Sequence, residues 1–323
     1  MTPSGAAVAT HCPYCALQCG MELAPAGAPG PASEGRATLP VTVTPRQFPT
    51  NGGGLCQKGW TSATVLRASD RLTTPLVRGA DGALAPASWE AALDLVAGRL
   101  AVLAAEHGPQ TVAVFGGGGL TNEKAYALGK FARTVLRTPF IDYNGRFCMS
   151  SAAAAGNRAF GLDRGLPFPV TDLAGAGAIL LLGSNVAETM PPFVQHLAGA
   201  RAAGGLVVVD PRRSATARLA GPGEGVHLQP VPGTDLVVLL ALLHVLVAER
   251  LVDREYVAER TAGFDDVARS AAAWWPERAE TVCGVPAEEL RRVARLLAAA
   301  SPSRGGRGAY VLTGRGVEQS AQG

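Results

Sequence analysis

The chain has 323 residues, of which 47% are hydrophobic and 17% charged. That is enough apolar material for two domains with a substantial core, and it excludes extended disorder. The net charge of +3 is small and dispersed, with no Lys or Arg tract, which excludes a nucleic-acid partner. The longest apolar run, Leu236 to Ala248, is interrupted by His244. It falls short of the ~20 residues a membrane span requires, so a buried helix and no membrane insertion are expected.

Only 11 residues precede Cys12, and they contain no arginine and no apolar stretch of secretory length. A cytoplasmic location is therefore expected. Six cysteines in a reducing compartment are poor disulfide formers, and clustered ones point to metal or redox chemistry.

Four cysteines cluster early, as Cys12-Pro-Tyr-Cys15-Ala-Leu-Gln-Cys19, then 36 intervening residues, then Cys56-Gln-Lys58-Gly59. Three close thiolates and one distant thiolate can occupy the four iron corners of a 4Fe-4S cubane. A tetrahedral zinc site is the open alternative, although zinc ribbons usually pair two knuckles with short gaps on both sides. Gly20 and Gly59 are expected to let the backbone turn beside the sulfurs, and His11 is a possible neighbour of the cluster. Lys58 is either a solvated surface lysine or a positive bridge from the cluster to a second cofactor. Residues 1–75 read as loop-rich and in need of such a staple, because metal binding and folding are coupled in small sites.

From Ser88 the pattern alternates helix and strand. Ser88 is placed to cap an amphipathic helix over Trp89–Glu106. A strand over Thr111–Phe115 runs into Gly116–Gly119, and Thr121 can cap a helix to about Leu136. The glycine run lacks the Lys-Ser/Thr ending of a nucleotide-hydrolase loop and reads as a close-packing loop. Strands follow at Ala178–Leu182, Leu206–Val209 and Ala309–Thr313. Helices are expected over about Pro191–Ala203, Thr234–Arg250 and Pro286–Ala299. Strands apolar on both faces and separated by helices indicate a covered parallel sheet. The expected fold class is α/β, with a small iron-sulfur domain over 1–75 and a parallel-sheet, dinucleotide-binding-like region over 76–323. Ligands of such sheets bind at the carboxyl ends of the strands. There Gly183, Ser184, Asn185, Asp210, Arg212 and Asp235 offer close backbone approach, donors, acceptors and a counter-charge for phosphate, sugar and guanine. Ordinary turn chemistry is the alternative for each. Cys283 reads as a buried core cysteine.

The cysteine spacing, Leu55-Cys56-Gln57-Lys58-Gly59 and Asn144-Gly145-Arg146-Phe147-Cys148-Met149-Ser150-Ser151-Ala152 together resemble the molybdopterin oxidoreductases that carry a bis-molybdopterin guanine dinucleotide. The branch they resemble is that of the bacterial assimilatory nitrate reductases. The likeness extends through Thr121–Tyr126, Gly183–Asn185, Val209–Arg212, Pro232–Asp235 and Thr313–Gln319.

The resemblance implies that Cys148 binds molybdenum through its thiolate, a soft ligand suited to a metal already held by dithiolene sulfurs. Without it, Cys148 would read as a buried structural cysteine. Arg146 is then expected to attract the anionic substrate or hold the pterin, and Met149 with Ser150 and Ser151 favours the nitrate branch over formate dehydrogenases. Cofactor contacts are implied for Lys58, Asn144, Gly183, Ser184, Asn185 and Glu188, for Asp210, Arg212 and Asp235, and for Gly314, Arg315, Gly316 and Gln319.

The implied activity is reduction of nitrate to nitrite, with electrons arriving through the 4Fe-4S cluster from ferredoxin, flavodoxin or an NADH-dependent reductase. Another small anion such as formate, or an electron-transfer module without molybdenum, are the competing readings. Gly314-Arg315-Gly316 and Gly323 look like a loop entering a further helix, so the chain is expected to be truncated at its C-terminal end.

Overall fold

The computed structural model describes residues 7–26, 41–162 and 165–320. Contacts divide them into two bodies. One combines the N-terminal strands, the Thr42–Ser62 segment and the chain from Ser151 onward, and the other contains Ala63–Ser150. The expected division near residue 75 is one of sequence, whereas these bodies are defined by packing.

The first body opens with an antiparallel sheet, β1 (Val8–His11), β2 (Gly20–Pro25) and β3 (Val41–Pro45), in the order β1-β2-β3. β1 and β2 pair from Val8 opposite Leu23 to His11 opposite Gly20, so the segment they enclose is a hairpin loop carrying three cysteines. The Cys12 N–H donates to the Cys19 carbonyl at 2.8 Å and closes that loop. Its turn places Gln18 at φ 45°, the left-handed region. The loop-rich expectation for this segment missed the three strands.

Gly20 and Gly59 do not make the turns expected of them. A Cβ on Gly20 would lie 2.6 Å from Phe48 Cβ, and one on Gly59 would lie 3.1 Å from Leu55 Cδ2. Both serve close packing, while positive φ falls on Gly52 and Gly53 ahead of Cys56. The short helix α1 (Gln57–Trp60) follows directly, with Cys56 as its N-cap residue.

The second body contains a hairpin of β4 (Leu76–Arg78) and β5 (Leu84–Pro86), then α2 (Trp89–His107). The Ser88 hydroxyl accepts from the Ala91 N–H at 3.1 Å, the cap expected of it. β6 (Val114–Gly116) starts three residues later than expected because Pro109–Thr111 form a 3-10 turn. Thr121 caps α3 (Asn122–Lys130) by accepting from Lys124 N–H at 3.4 Å, and a π-helical turn continues to Val135. β7 (Ile141–Tyr143) pairs in parallel with β6. α4 (Gly145–Cys148) follows, and α5 (Ser150–Phe160) begins at the last residue of this body and otherwise belongs to the first.

The rest of the first body is a parallel sheet of β8 (Ala178–Leu182), β9 (Leu206–Val209), β10 (Gly225–Leu228) and β11 (Ala309–Thr313) in the order β10-β9-β8-β11. After β8 come α6 (Val186–Thr189), a 3-10 stretch over Pro191–Leu197 and α7 (Ala198–Ala202), in place of the single helix expected there. Between β10 and β11 lie α8 (Asp235–Ala248), α9 (Arg254–Arg260), α10 (Phe264–Ala272), α11 (Pro276–Cys283) and α12 (Ala287–Ala299); α13 (Arg315–Glu318) follows β11. No helix among the described residues is long and apolar enough to cross a membrane.

The period-two alternation of the buried strands separates two cores. Leu180, Leu182, Val207 and Val209 pack with Val238, Leu242, Cys283, Leu290 and Val293 of α8, α11 and α12. Ile179, Leu181, Leu206 and Val208 pack with Leu173 and Leu197, and also with Cys12, Leu17, Cys19 and Met21 of the cysteine hairpin. The iron-sulfur segment is thus anchored on one face of the parallel sheet by the same burial, about 1.5–3 kcal/mol per large apolar side chain, that holds the helices on the other. Cys283 is fully buried, as expected, and burial pushes its thiol pKa up.

Candidate metal and cofactor site

The hairpin loop presents Cys12, Cys15 and Cys19, and the turn before α1 presents Cys56. The four thiols lie within electrostatic reach of one another. Burial raises the pKa of Cys12; the Tyr14 backbone N–H lowers it, Cys15 and Cys56 push it up, and the Lys58 charge pulls it down. Burial and the charges of Cys15, Cys12 and Cys56 push Cys19 to about 11. Four thiolates so placed repel one another, and cationic iron at each corner supplies the charge that allows all four to deprotonate together. Among the described residues no three such side chains converge as a single-ion site requires, and the fit is one of donor chemistry: four thiols, the number and kind that a 4Fe-4S cluster takes. His11 stays at the margin, with Nδ1 3.5 Å from the Cys12 carbonyl.

Lys58 donates from Nζ to the Thr189 carbonyl at 3.2 Å, at the end of α6, while its charge still bears on Cys12. That helix belongs to the turn after β8, where the other expected contacts gather. The chain leaves β8 for β9 and β10 on one side and returns to β11 on the other. The carboxyl ends of β8 and β11 therefore flank the switch point at which open α/β sheets bind nucleotides.

Each strand of this sheet delivers candidates to that edge. Gly183, at φ 59°, follows β8. Gly314 follows β11, and a Cβ there would sit 2.3 Å from the Gly183 carbonyl oxygen, so the two backbones approach as only glycine permits. Arg315 and Glu318 pair at 2.6 Å, and the Thr313 hydroxyl donates to Glu318 at 2.7 Å, fixing α13 around Gly316, with Gln319 as its C-cap residue.

After β9, Asp210 is 4% exposed. Its Oδ1 accepts from the Arg212 N–H at 2.8 Å, with the Arg212 guanidinium 3.9 Å away and largely exposed. Asp235, half-buried, is the first residue of α8 beyond β10.

Ser184 and Asn185 lead into α6, and Asn185 is engaged within the protein. Its Oδ1 accepts from the Thr216 N–H at 3.2 Å and hydroxyl at 2.9 Å, and its Nδ2 donates to Glu188 Oε2 at 2.7 Å. Thr216, fully buried, also accepts from the Ala187 N–H at 2.9 Å. Its part in shaping this turn had no signal in the sequence, where it reads as one more small polar loop residue. Asn51, buried and bonded to the backbone of both Gly20 and Gly54, was missed for the same reason.

In the second body the strand ends are again where the candidates lie. Asn144, just after β7, accepts through Oδ1 from the Gly118 N–H at 2.7 Å, joining the glycine loop after β6 to the segment bearing Cys148. α4 hangs on the same residue, since the Cys148 N–H donates to the Asn144 carbonyl at 3.1 Å. Cys148 is half-buried at the end of α4, with Met149 beside it. Arg146 is exposed and lies 3.6 Å from Asp142, which offsets part of its charge.

Comparison with known proteins accounts for both halves. Residues 6–66 match the molybdopterin oxidoreductase Fe4S4 domain and residues 71–323 match molybdopterin oxidoreductase. The chain is 33% identical to the assimilatory nitrate reductase catalytic subunit of Bacillus subtilis, over 97% of this chain and 42% of that one. It is 34% identical to the F420-dependent formate dehydrogenase 1 subunit alpha of Methanococcus maripaludis, over 90% and 41%.

Among solved structures, acetylene hydratase from Pelobacter acetylenicus superimposes with a TM-score of 0.73 at 22% identity, over 96% of this chain and 40% of that one. That likeness is one of fold. The chain spans 42% and 41% of the length of the two curated relatives. With its cysteine hairpin, its parallel sheet and these two matched domains, the chain belongs to the molybdopterin oxidoreductase family, with molybdenum-molybdopterin and a 4Fe-4S cluster as its cofactors.

Proposed function

We propose that the protein reduces nitrate to nitrite in the cytoplasm, nitrate taking up two electrons and two protons and releasing water. The observation that carries this reading is the segment after β7, where Cys148 is followed by Met149 and Ser150 and stands two residues after Arg146. Similarity to an assimilatory nitrate reductase over 97% of the chain supports it. When bound, the bis-molybdopterin guanine dinucleotide centre supplies two-electron oxygen-atom transfer, and the cluster supplies the one-electron relay that serves it.

The chain's own residues would do the rest. Cys148 would give the molybdenum its protein thiolate, held in position by the Asn144 carbonyl. Arg146 would raise the local potential for an anionic substrate. Cys12, Cys15, Cys19 and Cys56 would hold the cluster, and Lys58 would bridge from it to the turn after β8. Asp210 and Asp235 would accept from guanine or ribose, Arg212 would face the pyrophosphate, and the Gly183–Gly314 approach would admit it. Asn185 and Glu188 would set the turn, and Gly316 and Gln319 would complete its far side. Reduced ferredoxin, flavodoxin or an NADH-dependent reductase would deliver electrons.

The test is steady-state turnover of the purified holoenzyme with nitrate and a chemical reductant, and with formate and a chemical oxidant. Nitrite formation without formate oxidation supports the reading. Formate oxidation alone overturns it in favour of the formate branch, to which the chain is similar at 34% identity.

A further inference from the structure

Asn51 is 1% exposed and carries no part of the chemistry assigned above. A buried amide costs free energy unless all its polar atoms find partners, and Asn51 finds them in two separate places. Its Oδ1 accepts from the Gly20 N–H at 3.0 Å, and its Nδ2 donates to the carbonyls of Gly20 at 3.3 Å, Arg46 at 3.3 Å and Gly54 at 2.7 Å.

Gly20 adjoins Cys19, and Cys19 closes the three-cysteine loop through its bond from Cys12. Gly54 lies two residues before Cys56. One side chain thus ties the backbone of the first three cysteines to that of the fourth, across 31 residues. The loop around it is fixed as well. Gly52 and Gly54 N–H groups donate to Phe48 and Asn51 carbonyls at 2.8 Å each, and buried His196 donates from Nε2 to the Thr50 carbonyl at 3.0 Å.

We infer that Asn51 is a positioning residue for the iron-sulfur cluster, a clamp that sets the separation of Cys56 from Cys12, Cys15 and Cys19 before and after the metal is bound. The inference rests on the four-cysteine ligand reading. Backbone amides near thiolate sulfurs set both the stability and the potential of a cluster, and groups that orient ligands commonly matter 10–100-fold, roughly, for metal affinity.

The test compares cluster-loaded Asn51→Ala, Cys56→Ser and Leu290→Ala proteins with the wild type. Leu290 is fully buried in the core around α8, α11 and α12, and serves as a control for lost stability. The readouts are the paramagnetic resonance spectrum of the reduced cluster, iron content, and the rate of iron loss to a chelator.

Asn51→Ala is expected to change the spectrum and to lose iron roughly 10–100-fold faster. Leu290→Ala should keep the wild-type spectrum and loss rate even with a larger fall in melting temperature. Wild-type spectrum and loss rate in Asn51→Ala, or equally fast loss in Leu290→Ala, would overturn the inference. An intact 4Fe-4S spectrum in Cys56→Ser would instead overturn the ligand reading. Should Asn51→Ala fail to accumulate, amide exchange in the wild type decides: the Gly20 N–H must stay protected after iron is stripped, and exchange at the rate of an open loop would contradict the clamp.

Discussion

Lys58 Nζ donates to the carbonyl of Thr189 at 3.2 Å, a bond spanning 131 residues of sequence between the helix that follows Cys56 and the turn that follows β8. The same ammonium group bears on the Cys12 thiol. Replacing it with Met removes a positive charge that favours the reduced, more negative cluster. The midpoint potential of Lys58→Met should therefore fall, by on the order of tens of millivolts. Redox titration of the cluster signal checks this, and an unchanged or raised potential would show that the charge does not act on the cluster.

Asp210 is buried at the carboxyl end of β9 with one oxygen held by the Arg212 N–H. Asp210→Asn preserves the shape and removes the charge offered to a guanine or ribose donor. Loss of a charge-assisted hydrogen bond costs about 1.5–3 kcal/mol, so pterin cofactor retention should weaken roughly 10–150-fold. Molybdenum and guanine nucleotide content after extensive gel filtration measures it; retention equal to wild type would remove Asp210 from the cofactor contacts.

Gly314→Ala places a methyl group 2.3 Å from the Gly183 carbonyl oxygen, a backbone atom that cannot swing aside. The cost should be about 1–3 kcal/mol, or a fall of roughly 3–10 °C in melting temperature. Gly119→Ala is the control, since nothing lies within 4 Å of the Cβ it would add. Equal melting temperatures for both variants would contradict the close approach of β8 and β11.

Arg295 grips Glu249 through Nε and Nη2, both at 2.9 Å, tying the C-cap of α8 to α12. That hydrogen bond, with the Arg295 and Arg291 charges, holds the Glu249 carboxyl below the usual glutamate range. A carboxyl whose folded pKa lies below its unfolded value, about 4.3, contributes its stability above that pH and loses it as the pH falls through the folded value. The pair is solvent-facing, so the contribution at neutral pH stays under about 1 kcal/mol. Denaturant titrations should show Glu249→Gln less stable than wild type at pH 7 and the two converging as the pH falls below the usual glutamate range. A gap that widens on acidification would reverse the assignment.

The parts of this structure that sequence made legible are those where local chemistry decides. Ala178–Leu182, Leu206–Val209 and Ala309–Thr313 stand out because the first two are apolar on both faces and all three end in turn residues. Ser88 and Thr121 cap their helices as their positions demand. The four-cysteine spacing marked a metal segment but left zinc open beside a 4Fe-4S cluster, and the match of residues 6–66 to the Fe4S4 domain decided between them. β1 to β3 were hidden because they are short, partly exposed and separated by Gly- and Pro-rich chain, and are strands only by virtue of pairing. β10, α9, α10 and α11 carried weaker patterns, and Gly263 in a left-handed conformation precedes α10 where a polar cap would have marked it. Asn51 and Thr216 were illegible for a different reason. Each depends on partners distant in sequence, Gly20 for Asn51, and Asn185 and Ala187 for Thr216, and nothing local distinguishes a buried organiser from an ordinary loop residue.

The most direct measurement is nitrite formed per bound molybdenum, compared between the wild-type holoenzyme and Cys148→Ala. Loss of a direct metal ligand should exceed the 10–100-fold, roughly, that outer partners cost, so the variant is expected to form nitrite more than about 100-fold more slowly per molybdenum. Wild-type nitrite formation by a Cys148→Ala protein that still holds its molybdenum would contradict the account.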